Sequence, residues 1–305
     1  MLFRSLTESC SPANGVLDPG ETVTMNFTIQ NTGGAGVANL VATLLATNGV
    51  TAPGGSQTYG VLAANGGLAT KSFSFTANGA CGGTVTATFQ LQDGANNLGL
   101  ATYTIPLGAI QQDLAQNFDG VTAPNLPGGW TTTAGGGESL WTTSTAASDT
   151  APNAAFSPDA SNAGSNALIS TVIPISSANA VLTFRQNYNL RLSASFGAYS
   201  AGVLEVSVGG GAFQDILAAG GSFTAGGYNS TVSTRRGNPL TGGRACWSGN
   251  SGGFITTTVA LPASMAGQNI QLRWVCATST SSANVGWYVD SIQVTEGNCC
   301  TGALP

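Results

Sequence analysis

The chain contains no histidine, a single lysine (Lys71), and few charges of either sign. Lys and Arg number 8 and Asp and Glu 13 among 305 residues, 7% in all, against roughly 25% in an average soluble protein. Without histidine, serine and cysteine hydrolases lose their usual general base, and zinc sites lose a principal ligand. A net charge of −5 with so few cations cannot neutralise a run of phosphates, which excludes nucleic acid as a partner. No continuous apolar run reaches about 18 residues, so membrane insertion by a helix is not expected. The opening MLFRSLTESC is too short and polar for the apolar core of a signal peptide, so the sequence reads as a mature or excised piece of a larger precursor.

What the chain has in quantity is glycine, 43 residues, about twice the usual ~7%, together with Ser, Thr and Asn. With 42% hydrophobic residues this describes a globular, β-rich protein whose turns are built from Gly and Asn. It suits an extracellular or cell-surface location. In ETVTMNFTIQN, Val23, Met25, Phe27 and Ile29 alternate with polar residues, the period of a half-buried strand. TVTATFQLQ repeats the pattern with Val85, Ala87, Phe89 and Leu91. Short strands broken by PG, GG and NG turns indicate an antiparallel sandwich over residues 1–108. The texture breaks within LGAIQQDLAQ (107–116), and 109–112 read as a linker. Beyond it, seven or more strands fill 113–298, among them NIQLRWVCAT, where Ile270, Leu272, Trp274 and Cys276 alternate with Gln271, Arg273 and Val275. They predict a larger two-sheet sandwich of jelly-roll type, with 299–305 as a tail. The stretch from Gly135 to Ala163 is expected to be a long loop, functional or metal-braced. The fold class is therefore all-β, an Ig-like sandwich followed by a jelly roll.

The ordered motifs NFDGVTAPNLPGGWTTT, SLWTTS, DTAPNAAF, LTFRQNYNL, GVLEVSVGGGAFQDI and VGWYVDSIQV resemble the choice-of-anchor J modules of bacterial secreted and surface proteins, which are similar to MAM domains and to the cleaved adhesin domains of gingipain-type proteases. The resemblance spans about 113–297, and NGVLDPGETVTMNFTIQNTGG resembles the Ig-like repeats found beside such modules. It implies a non-catalytic jelly-roll module within large extracellular assemblies. It also implies calcium ligands at Asp119 and Asp290. Cys246 and Cys276 depart from the pattern.

Six cysteines, Cys10, Cys81, Cys246, Cys276, Cys299 and Cys300, suit disulfides in an exported protein better than a metal site. Domain logic favours Cys10–Cys81 and Cys246–Cys276, leaving Cys299 and Cys300 for a vicinal bridge or a link to another chain, while buried free thiols remain the alternative.

Four further features bear on function. GNSGG (249–253) is one letter from the nucleophile loop GDSGG, yet Ser251 has no histidine to serve it and Lys71 lies in the other domain, so a turn is expected. Asp119 and Asp290 stand near the two ends of the larger domain, where strands commonly run side by side, and Asp149 on the long loop is a third candidate for an oxygen-liking cation such as calcium. Among the aromatics, Trp247 and Tyr228 lie in glycine-rich loops and are the candidates for stacking on a glycan, whereas Trp274 and Trp287 fit a core. Asn26-Phe27-Thr28 and Asn229-Ser230-Thr231 match the glycosylation sequon, a short pattern that chance supplies in such a chain. Function is expected to be structural or adhesive, with other copies of the chain or neighbouring modules as partners through open strand edges, for which MLFRSL is a candidate donated strand. The competing reading is a carbohydrate- or protein-binding module accompanying a hydrolase or protease.

Overall fold

The computed structural model describes residues 14–300 and the backbone of a short strand at Ser5–Thr7. The chain is all-β apart from one turn of 3-10 helix at Ala263–Met265, and its sheets pack as β-sandwiches. It divides into two compact units, one ending at Gln111 and joined again by the segment from Gly297, the other running from Gln112 to Glu296. The division between the units falls within the expected 109–112 junction, which is itself part of the strand Ala109–Gln116, and the expected tail belongs to the first unit.

In the first unit two four-stranded antiparallel sheets enclose a core. One has the order Ser5–Thr7, Thr22–Gln30, Leu68–Ala77, Val50–Thr51, and the other Gln57–Leu62, Val37–Leu44, Thr84–Asp93, Asn96–Pro106. The alternation in Thr22–Gln30 sends Val23, Met25, Phe27 and Ile29 inward, where they meet Val85, Ala87 and Phe89 from the facing sheet. Phe27 and Phe89 pack edge to face at 4.8 Å, and Tyr59 and Tyr103 donate their hydroxyls to the Phe27 and Thr28 carbonyls. Within the proposed donated strand, Ser5–Thr7 pairs with Thr22–Gln30 of the same chain. Met1–Arg4 lie outside the described residues.

The second unit has a six-stranded and an eight-stranded sheet. Gln268–Thr278 is central in the first, between Gly164–Ile169 and Ala201–Val208, and Val181–Leu190 in the second, between Gly286–Asn298 and Ile255–Ala260. Between the sheets lie Ile270, Leu272, Trp274 and Cys276, as the alternation requires, with Trp130, Trp141, Trp247 and Trp287. All five tryptophans are buried. The expected long loop from Gly135 to Ala163 is interrupted by two short strands, Thr142–Ser144 and Ala154–Pro158, which pair with each other, the second also pairing with Gly286–Asn298. Sheet hydrogen bonding thus anchors a stretch that otherwise remains turn and loop.

The cysteine pairing is corrected. Cys81 is bonded to Cys299 within the first unit, with Cα atoms 5.9 Å apart, so it bonds neither to Cys10 nor through a Cys299–Cys300 vicinal bridge. The cause is the last strand, Gly286–Asn298, which carries the chain end back to the first unit. Cys300 is also disulfide-bonded, and Cys10 lies outside the described residues. Cys246 and Cys276 form no bridge and are buried thiols. They belong to different clusters: Cys276 faces the inter-sheet core, whereas Cys246 packs with Ala201, Val203 and Val275. Val275 follows Trp274 on a strand, and consecutive strand residues point to opposite faces. Burial pushes both thiols up to about 12, so neither is a ready nucleophile.

Candidate functional site

Ser251 sits in a tight turn whose hydrogen bonds are all internal. Its amide donates to the Tyr188 carbonyl at 2.9 Å, its Oγ accepts from the Tyr188 N–H at 3.0 Å, and the same hydroxyl donates to the Gly253 carbonyl 2.8 Å away. Among the described residues its hydrogen-bond partners are Tyr188, Asn187 and Gly253, so the geometry is that of a turn locked onto the strand Val181–Leu190.

Trp247 is fully buried and Tyr228 half-buried. Trp247 has 0% exposure, donates its indole N–H to the Gly226 carbonyl at 2.9 Å, and packs against Phe184, Phe223, Tyr228 and Trp287. The Tyr228 hydroxyl accepts from the Leu204 N–H at 2.9 Å and lies 3.1 Å from Asp215 Oδ2; burial, then the Asp215 charge, raises its pKa far above the usual tyrosine range. The Trp247 ring therefore has no face open to a sugar, and the half-buried Tyr228 ring is packed against Phe223 and Trp247. Glycine misled here: a Cβ on Gly226, at φ +60, would stand 2.2 Å from the Thr256 carbonyl, so the loop is glycine-rich because it packs closely. The Asn229 amide likewise bonds inward to the Ser248 backbone and the Tyr188 hydroxyl.

The three aspartates are linked through neighbouring backbone and side-chain groups and not as a cluster of ligand carboxylates. Asp290, fully buried on the last strand, accepts from the Asp149 and Thr150 amides at 2.7 and 3.0 Å through Oδ2 and from the Ser291 amide at 2.6 Å through Oδ1. The strand bulges here, at Ser291 with φ 48, where the register opposite Thr183 and Arg185 shifts. Asp119 follows Phe118, another residue at positive φ (60); its Oδ1 accepts from the Asn153 amide at 3.0 Å and its Oδ2 from the Asn117 side chain at 2.7 Å. Such backbone conformations are unfavourable for side-chain-bearing residues and persist where the surroundings impose them. Burial raises the Asp290 pKa above the usual carboxylate range, the three amides oppose that rise, and the Asp119 charge adds to it. Asp149 takes a different role from the other two, forming an ion pair with Arg185 at 2.7 Å and accepting from the Ser291 hydroxyl at 3.1 Å.

One neighbour was not singled out by sequence. Asn153, buried in the DTAPNAAF motif, donates its side-chain NH₂ to the Phe118 and Val121 carbonyls at 3.2 and 2.6 Å, which fixes the amide orientation. Its Oδ1 is then buried with no hydrogen-bond donor, a state that costs about 1–3 kcal/mol unless something satisfies it. The carboxylates of Asp119 and Asp290 each already accept internal hydrogen bonds, and the Asn153 amide N–H ties Asp119 to the segment that carries the orphaned Asn153 oxygen. Among the described residues no three Asp, Glu, His or Cys side chains converge as metal ligands, so a hard divalent cation here would rely on amide and backbone oxygens as well.

No family model and no curated protein matches this sequence. Among solved structures, the chain is similar to one described under the promiscuous specificity of carbohydrate-binding modules from the β-sandwich superfamily, at 15% identity over 96% of this chain and 98% of that one, with a TM-score of 0.38. It is similar to the K3 cleaved adhesin domain of Lys-gingipain from Porphyromonas gingivalis, at 18% identity over 62% and 100% of the two chains and a TM-score of 0.36. The xylan-binding domain CBM22-1 from Paenibacillus barcinonensis matches at 15% identity over 64% and 99%, with a TM-score of 0.31. All are β-sandwich likenesses at low identity.

Proposed function

We propose that this protein is a non-catalytic extracellular module that assembles with copies of itself through an open sheet edge. The observation that carries this reading is the strand Asn96–Pro106. It closes one side of its sheet, pairing with Thr84–Asp93, and among the described strands none pairs with its outer edge. Its eleven residues, NNLGLATYTIP, include no charged residue, and Leu98 and Leu100 are exposed, Leu100 at 61%. Natural edges are ordinarily blunted by lysine, proline or a bulge. Here a register shift near Leu98 and Gly99 interrupts the first part, and Leu100–Ile105 remains regular. A second copy adding its strand there would gain main-chain hydrogen bonds along six residues. The Cys81–Cys299 bond suits an oxidising, extracellular compartment, and no helix among the described residues is long and apolar enough to cross a membrane. The resemblance of 113–297 to choice-of-anchor J and MAM-like modules supports the same reading. Electron micrographs of concentrated protein should show fibres or chains of particles, lost in Leu100→Lys/Thr102→Lys; unchanged particles in that variant would defeat the assignment to this edge.

Calcium belongs to the same proposal. Asp119 and Asp290, together with Asn153 Oδ1, are the groups that would hold it, and the ion would supply positive charge to the two carboxylates and tie the segment at Asn153 to the last strand. Saturating calcium should raise the melting temperature relative to EDTA, and Asp119→Asn should abolish the difference. A melting curve indifferent to EDTA in the unaltered protein would remove calcium from the account.

A further inference from the structure

In the second unit three of the six arginines are tied to carboxylates, and nearly every aromatic ring is at least partly covered. Arg185 pairs with Asp149, Arg244 with Glu205 and Asp215, and Arg273 with Glu205. The three remaining cations of the unit, Arg191, Arg235 and Arg236, have no ion pair among the described residues and are exposed. Phe196, at 49% exposure, is the most open aromatic side chain among the described residues. These features coincide. The Arg235 guanidinium lies 4.1 Å from the centroid of the Phe196 ring, and that of Arg236 lies 5.9 Å from Tyr199. Arg191 begins the same hairpin, its carbonyl accepting from the Tyr199 and Ser200 amides at 2.9 Å, and its charge also reaches the buried Asp159.

The arrangement is held from beneath. The Ser233 amide donates to the Ala198 carbonyl at 2.9 Å, and Asn238 donates to the Tyr199 and Ala277 carbonyls. Arg236 itself is kept at φ 68, with its carbonyl accepting from both the amide and hydroxyl of Thr280. A side-chain-bearing residue held in the left-handed region reflects imposed local geometry. Stacking on a ring orients a guanidinium while leaving its N–H edge open, and it reduces the entropy lost when that edge binds an anion.

We propose that Arg235, Arg236, Phe196 and Tyr199, with Arg191 at their margin, form a binding site for an acidic polysaccharide bearing carboxylate or sulfate groups. The guanidinium forks match those anions, while the exposed ring edge and face offer a surface to a sugar's C–H groups. Nucleic acid is the less suitable polyanion, because three cations on a molecule of net charge −5 leave most phosphates along a strand without a partner. The site is separate from the edge Asn96–Pro106, so it stands or falls independently of self-assembly.

Affinity electrophoresis of the full chain at low ionic strength through gels containing polygalacturonate, dextran sulfate or neutral dextran tests this. Retardation by polygalacturonate or dextran sulfate and not by dextran is expected, the responding gel telling carboxylate from sulfate. Arg235→Ala/Arg236→Ala should weaken it by about tenfold or more, and Phe196→Ala should weaken it at unchanged charge. Lys71→Ala, which removes a cation in the other unit, should leave it unchanged. The proposal is overturned if neither acidic polymer retards the protein, if Lys71→Ala weakens binding as much as the double variant, or if single-stranded DNA binds as tightly as either polysaccharide.

Discussion

Asp290 accepts three amide hydrogen bonds at a position without exposure, yet burial still leaves its pKa raised, as it does for Asp159 and Glu138. A raised folded value means that folding favours the protonated form. The stabilisation is complete below the unfolded carboxylate pKa and is lost as pH rises through the folded value. In EDTA the melting temperature of the protein should therefore increase as pH falls from about 7 towards about 5, and calcium should flatten that dependence by stabilising the ionised pair. A melting temperature that falls over this interval in EDTA would contradict the assignment. Trp247 makes a second test at this scale. Its indole fills the core and its N–H is bonded, so Trp247→Ala should destabilise by about 3–5 kcal/mol in denaturant titration and leave binding of neutral sugars unaltered. The buried role of Trp274 was readable from its strand. That of Trp247 was not, because a glycine-rich sequence describes a floppy loop and a tightly packed one equally well. Asn153 was hidden for a related reason: in APNAA it reads as a turn residue, and only the two carbonyls that capture its NH₂ leave its oxygen alone.

At the scale of elements, alternation was the reliable signal. Val23 to Ile29 and Ile270 to Cys276 lie on the faces their period assigned, because a one-residue slip would expose every one of them. Period says nothing about which strand lies at an edge. The place of Asn96–Pro106 at the side of its sheet follows from non-local pairing, as does the meeting of Arg235 with Phe196, thirty-nine positions apart in sequence. Short strands such as Thr142–Ser144 escaped notice because three residues give no period to read. The outer strand's own pattern is informative once its place is known. Ala101, Tyr103 and Ile105 turn towards the core and Leu100, Thr102 and Thr104 face outward. Lysine at positions 100 and 102 thus adds charge to the exposed face without removing a core side chain.

On the scale of the whole molecule, the chain leaves the first unit at Gln111 and returns to it at Gly297. Cys81 and Cys299, 218 residues apart, fasten that return. Domain logic assigned each cysteine a partner in its own half of the sequence and could not foresee a terminus that crosses back. In the chain-entropy account a loop of this length contributes about 5 kcal/mol, so Cys81→Ser should lower the stability of the first unit by several kcal/mol, seen as a lower denaturant midpoint. The central claim is that the molecule joins others of its kind through an uncharged strand edge. Sedimentation velocity across a wide concentration series tests it most directly, with the unaltered protein and Leu100→Lys/Thr102→Lys run side by side. The account predicts species that grow with concentration for the first and a constant monomer for the second. A single monomeric boundary for the unaltered protein at every concentration would contradict it.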